Sequence, residues 1–236
     1  MKRLSIIAIV LLLSLKTTAQ MNNPYVDDKL VHFGFYLGTN FMGYSIKDSN
    51  LPINGETYHA RVSSVLPGFS VGFITDLRIS RHLNFRFTPG LNFGQRTITY
   101  KAESGRAIRG SEGNNEHIEV LSLPINLPVY LKWSAEREKN YRPYLIFGGG
   151  ASYDFGGSKE RPIYTQKWDY YIDFGFGVDL YFAWFKLCPE IKYQIGFANM
   201  KVPVEQRPEL PAPDHFYTNA LDRLRNQMIT ITFNFE

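Results

Sequence analysis

The 236-residue chain carries 26 Lys and Arg against 22 Asp and Glu, with 18 Phe, 15 Tyr and one cysteine. A single cysteine excludes an intramolecular disulfide framework. Both charge signs are spread along the chain without the clustered basic patch of a nucleic-acid binder, so no nucleic acid is expected as a partner.

Lys2 and Arg3 precede an apolar run over residues 4–15, and Thr17, Thr18 and Ala19 offer a small-residue cleavage site before Gln20. That is the pattern of a secretory signal peptide, so residues 1–19 are expected to be removed and residues 20–236 to form one domain. A retained helical anchor is the alternative, but it needs about 20 apolar residues, more than this run supplies. Without Lys2, Arg3 and Lys16 the formal charge falls from +4 to +1. No later run reaches the roughly 18 apolar residues of a spanning helix, so any membrane crossing must use strands.

Period-two alternation then recurs in eight segments. The first sets Phe33, Phe35, Leu37 and Phe41 against Gly34, Tyr36, Gly38 and Asn40; the second sets Phe69, Val71, Phe73 and Leu77 against Ser70, Gly72, Asp76 and Arg78. In the third, Phe85, Phe87, Leu91 and Phe93 alternate with Asn84, Arg86, Gly90, Asn92 and Gly94. The fourth places Leu123, Ile125, Leu127, Val129 and Leu131 opposite Ser122, Asn126 and Lys132. A weaker fifth has Leu145, Phe147 and Tyr153 against Tyr144, Gly148, Gly150 and Asp154. The sixth is the clearest: Tyr170, Ile172, Phe174, Phe176, Val178, Leu180 and Phe182 against Tyr171, Asp173, Gly175, Gly177, Asp179 and Tyr181. The seventh sets Phe185, Leu187, Ile191, Tyr193, Ile195 and Phe197 against Lys186, Cys188, Glu190, Lys192 and Gln194. The eighth ends the chain with Ile229, Ile231, Phe233 and Phe235 against Thr230, Thr232 and Asn234.

Volume decides which face is outside. An eight-stranded barrel has room inside only for its own side chains, and the apolar set is too bulky for that space. The fold class expected is therefore an all-β, closed, antiparallel, eight-stranded outer-membrane β-barrel with an apolar lipid-facing exterior and a polar, plugged lumen. A Lys or Arg on the lipid face costs about 2–4 kcal/mol at the midplane, and none falls there. A soluble lipocalin-like barrel would show the reverse alternation. The oppositely charged Asp76, Arg78, Arg86, Asp173, Asp179, Glu190 and Lys192 then form a lumen charge network with a structural role.

Connections at 80–82, 135–141 and 183–184 are short, whereas those at 43–66, 102–117, 156–167 and 198–226 are long, the pattern of periplasmic turns and external loops. Both termini then face the periplasm. Trp133, Trp168, Trp184, Tyr100 and Tyr170 are candidates for interfacial girdles. Pro89, Pro124, Pro128, Pro143 and Pro189 sit in or at proposed strands, so bulges are expected there, above all around Pro124 and Pro128. In the last loop, Pro203, Pro208, Pro211 and Pro213 stiffen the chain. A short helix is expected over 217–225, with Tyr217, Leu221 and Leu224 as a candidate partner contact.

No catalytic, cofactor or metal site is expected. GxSxG, P-loop and HExxH motifs are absent, and Gly148, Gly149 and Gly150 lack the helix and lysine of a phosphate loop. His32, His59, His82, His117 and His215 form no i, i+4 pair, and His117 near Glu116 and Glu119 reads better as a solvated loop.

The segments HFGFYLGTN (32–40), PGFSVGF (67–73), RFTPGLNFG (86–94), LPVYLK (127–132), YRPY (141–144) and FKLCPE (185–190) resemble the PorT proteins of the Bacteroidetes type IX secretion system. So do RPE (207–209), YTNAL (217–221) and MITITFNFE (228–236), which make the most specific part of the likeness. Residues 58–65 and 102–116 have no counterpart in it. The resemblance implies a non-enzymatic outer-membrane component needed for export of proteins with C-terminal sorting domains, and in some relatives for gliding motility. Its partners would be outer-membrane lipid and other secretion components, with no small-molecule substrate. Two other readings stay open: a small porin-like or adhesive barrel, and a lipid A-modifying barrel enzyme.

Overall fold

A computed structural model describes residues 22, 26–50, 52–53, 55–104, 115–156, 163, 165–203 and 216–236; the expected signal peptide and residues 204–215 of the proline-rich loop lie outside them. The described chain is an all-β antiparallel sheet of eleven strands: β1 (Val31–Asp48), β2 (Tyr58–Val65), β3 (Pro67–Arg78), β4 (Leu83–Phe87), β5 (Gly90–Ala102), β6 (Asn115–Ser122), β7 (Pro124–Ser134), β8 (Tyr141–Asp154), β9 (Trp168–Tyr181), β10 (Lys186–Gly196) and β11 (Leu221–Phe235). A short helix α1 (Phe216–Asn219) precedes β11.

Neighbours run from β1 through β11, β10, β9 and β8 to β7, then to β4 and β5, then to β3, and β3 pairs with β1. Thus β1 holds β11 along one side, from Phe35↔Phe235 onward, and β3 along the other, from Val31↔Leu77 to Phe41↔Pro67. Beyond the ends of β3 and β7, β5 is flanked by β2 and β6. Single-residue gaps at Leu66 and Leu123 separate β2 from β3 and β6 from β7, and Thr88 and Pro89 separate β4 from β5.

The alternation sorts side chains as its period requires. Phe33 is 74% exposed and Phe73 72%, while Asp76 and Arg86 on the other face are fully buried. Inside, the ring of Tyr36 occupies space that a Cβ on Gly72 of β3 or Gly90 of β5 would fill, so both positions are held to glycine by close approach.

The prolines do not act through bulges. Register runs unbroken through Pro128, Pro143 and Pro189, and the two register shifts lie elsewhere, at Lys47/Asp48 and Val62/Ser64. Each antiparallel residue points its N–H and C=O at the same neighbour. The Pro128 carbonyl accepts from Thr88 N–H, so its missing donor faces the gap between β4 and β5; the Pro143 carbonyl accepts from Ala135 N–H, past the end of β7. Pro89 and Pro124 instead mark strand interruptions.

The expected long connection over 43–66 is largely strand, as are the edges of 102–117 and 198–226. In these extensions the alternation changes phase. Up to Phe93, β5 turns its apolar side chains outward; from Gly94 it buries Arg96, Ile98, Tyr100 and Ala102 and turns out Gln95, Thr99 and Lys101. Likewise β6 buries Ile118 and Val120 and exposes His117 and Glu119. The interior is therefore polar at the short-turn end and apolar at the other. There Tyr44, Ala60, Ile98, Tyr100, Ile118, Val120, Ile163, Met200, Leu221 and Leu224 pack into one core.

Candidate functional site

The polar interior is built from inward residues of six neighbouring strands and the last residue of the chain. Arg86 on β4 lies at its centre, with Nε 2.7 Å from Asp76, Nη1 3.4 Å from Glu190 and Nη2 2.6 Å from Glu236. Glu236 also meets Lys186 at 2.6 Å, and Glu190 meets Lys192 at 2.8 Å and accepts from the Tyr144 hydroxyl at 2.7 Å. Lys132 reaches both Asp179 oxygens at 2.8 and 2.7 Å and lies 4.0 Å above the Tyr144 ring. Asp173 accepts from the Tyr130 hydroxyl and has no ion pair among the described residues.

Four cations thus face five carboxylates, nearly all of them paired, which is what burial of charge demands. This is no ring of one sign, such as selects ions in a pore. The interior keeps small cavities of about 20 Å³, one of them lined by Tyr36, Asn126, Tyr130, Asp173, Lys192 and Thr230, while a groove of about 560 Å³ lined by Val26, His32, Tyr181, Trp184, Lys186 and Glu236 opens at the short-turn end.

Of the lumen charges expected from sequence, Asp76, Arg86, Asp179, Glu190 and Lys192 take part in buried ion pairs, and Asp173 adjoins them through Tyr130. Arg78 does not join. It lies nearer the short-turn end, where the N-terminal turn at Val26–Asp28 supplies Asp28 at 3.1 Å. That turn packs over part of this end: Asp27 is 3.3 Å from Arg137 and 3.7 Å from Arg142, and accepts from the Tyr181 hydroxyl at 2.8 Å. Lys132, Lys186 and Glu236 were missing from the expected set, although Lys132 and Lys186 share the polar phase of their strands.

The partner contact expected at Tyr217, Leu221 and Leu224 loses its two leucines. Helix α1 ends at Asn219, and Leu221 and Leu224, both fully buried, belong to β11 and the apolar core. Leu221 pairs with Asp48 and Leu224 with Ile46; the register shift at Lys47/Asp48 inserts Asp222 and turns two leucines three apart to the same face. Spacing of three mimicked a helix. Tyr217 lies half-buried with its ring 5.2 Å from that of Tyr100, whose hydroxyl donates to the Tyr217 carbonyl at 2.9 Å.

Tyr100 is accordingly a core residue rather than part of a girdle. The other girdle candidates stand outward: Trp133 (61% exposed) and Trp184 (94%) at the short-turn end, Trp168 and Tyr170 at the other. Between them the outer face carries Leu127, Val129, Leu131, Phe147, Phe174, Phe176, Ile229 and Ile231, all well exposed. At the boundary between polar lumen and apolar core, Arg96 donates to the Tyr44 hydroxyl at 2.7 Å and to Ser122 Oγ at 3.1 Å.

The family described as outer membrane protein beta-barrel domain matches residues 18–202. Among solved structures, the crystal structure of Neisserial surface protein A aligns with a TM-score of 0.41 and 11% identity, covering 87% of this chain and 98% of that one. No curated protein matches the chain.

Proposed function

This chain belongs to the outer membrane protein beta-barrel domain family, and from that premise we propose that it is a closed eight-stranded barrel serving as a non-enzymatic component of the type IX protein secretion system. Eight strands result when β2 with β3, β4 with β5, and β6 with β7 count as three bent strands; the β1–β3 and β1–β11 pairings then leave no open edge, as hydrocarbon requires. The short turns face the periplasm with both termini, and the long connections face outward.

The observation that carries a scaffold role is the filled interior. Arg86 and its three carboxylate partners bridge β3, β4, β10 and the last residue across the interior, the N-terminal turn packs over part of one end and the apolar core fills the other. Cargo cannot pass through such a lumen, so the barrel acts through its walls and rims on other secretion components. The assignment to type IX secretion rests on the resemblance of the segments from residues 32–40 to 228–236 to the PorT proteins. Deleting the gene should make proteins with C-terminal sorting domains accumulate inside the cell, and the wild-type gene should restore their export. Normal export from the deletion strain would reject the secretion role while leaving the barrel reading intact.

A further inference from the structure

Outward faces change character where the strands leave the apolar belt. Beyond Phe41, β1 exposes Ser45 and Lys47; β11, beyond Ile229, turns Arg225 and Arg223 to the same side, paired across to Ser45 and Lys47. On the adjoining β2–β5 pair, Arg61 lies across from Thr99 and Lys101 across from His59, beyond the exposed Val65 and Phe93. We propose that this surface of Lys47, Arg61, Lys101, Arg223 and Arg225 binds the phosphate-bearing headgroup of an outer-leaflet lipid. The proposal rests on the membrane reading above.

Like charges directly across a strand pair repel, yet Lys47 faces Arg223. Asp222, 3.2 Å from Lys47, is the one carboxylate among the described residues in an ion pair with these five cations. Among the described residues Arg61, Lys101, Arg223 and Arg225 make no ion pair, and Arg225 Nε is buried without a hydrogen-bond partner. On the same outward side Glu103 follows Lys101 and Glu119 on β6 pairs across from Thr97, while Asp48 is turned to His59 at 3.0 Å. Guanidinium groups suit phosphate through paired N–H donors.

Height selects a lipid as the occupant. The cations lie four to eight positions beyond the last apolar outward residue of their own strands, Arg61 four from Val65, Arg225 four from Ile229, Lys47 six from Phe41 and Lys101 eight from Phe93. At about 3.3 Å per residue along tilted strands, Arg61 and Arg225 then stand at the headgroup layer, where basic groups attract anionic lipid, with Lys47, Arg223 and Lys101 above them. A lipid already abuts the belt below; its phosphate meets the uncompensated charge without further ordering of the protein.

Native mass spectrometry of the mature protein, extracted from outer membranes and offered bisphosphorylated lipid A or its phosphate-free form, tests this. Wild type should retain the phosphorylated form preferentially, and R61Q/K101Q/R223Q/R225Q should lose that retention by about tenfold. E103Q/E119Q should retain at least as much as wild type. Equal retention of the two lipid forms by wild type, or undiminished retention by the quadruple variant, overturns the proposal, and displacement by equimolar inorganic phosphate reassigns the surface to a free anion. Should the quadruple variant misfold, wild-type retention that is insensitive to salt overturns it equally. Release of the wild-type protein from membranes by carbonate would reject the membrane reading itself, a failure distinct from a membrane-held protein indifferent to phosphate.

Discussion

Arg86 holds three carboxylates at once, which makes its removal far costlier than the net value of any one pair. Taking away the cation leaves Asp76, Glu190 and Glu236 buried and under-compensated, so Arg86→Met should destabilise the folded barrel by about 3–5 kcal/mol. Arg78→Gln, which breaks only the pair with the exposed Asp28, should cost under about 1 kcal/mol. Urea unfolding in detergent micelles distinguishes the two, and a wild-type midpoint for the Arg86 variant would mean the network does not hold the structure. Cys188 is fully buried and is the sole thiol. A maleimide should therefore leave the folded protein unlabelled and modify it fully after heating in SDS; rapid labelling at ambient temperature would show that the lumen opens. Most of the charged interior was legible because alternation places Asp76, Arg86, Asp179, Glu190 and Lys192 on one phase. What alternation could not tell was their height, which is why Arg78 was grouped with a network it lies below. Nor could it show that Glu236, one residue past the last strand, folds back to Arg86 and Lys186.

Strand length was where the sequence misled. A search for apolar-out alternation ends at Phe41 and Phe93 and begins again only at Ile229, so β1, β5 and β11 read as shorter than they are. Beyond the belt the environment changes from lipid to water, and the same period-two pattern continues with its polarity reversed, in Ile98, Tyr100 and Ala102 against Thr99 and Lys101. The reversed phase was present in the residues, but loop composition hid it. The leucines at 221 and 224 misled further because a bulge gives a strand the three-residue spacing of a helix. A direct check follows from the phase change. Phe147→Arg puts a cation on the lipid face, at a cost of about 2–4 kcal/mol near the midplane, and should sharply reduce outer-membrane abundance. Thr99→Arg, on an equally outward position beyond the change, should assemble at wild-type levels. Equal abundance of the two variants would refute the boundary.

For the whole molecule, a filled interior is what distinguishes the proposed scaffold from a porin-like barrel. Planar bilayers containing it should show no discrete conductance, since the interior cavities hold only about 20 Å³ each and the apolar core fills the end away from the short turns; unitary steps in current would restore the channel reading. The pairing of Phe35 with Phe235 means that the seam joins residues at opposite ends of the fold, so the ring cannot close until nearly all of it is in place. The phase change also acts as a depth gauge. A slide of two residues, about 6.6 Å along a strand, would drag Arg61 and Arg225 toward hydrocarbon in one direction or lift Phe93 and Phe41 into water in the other. Both displacements are uphill, so the protein is pinned vertically and a bilayer of different thickness must deform around it. Any partner that moves this barrel moves it sideways or tilts it, and the lipid next to it carries the strain.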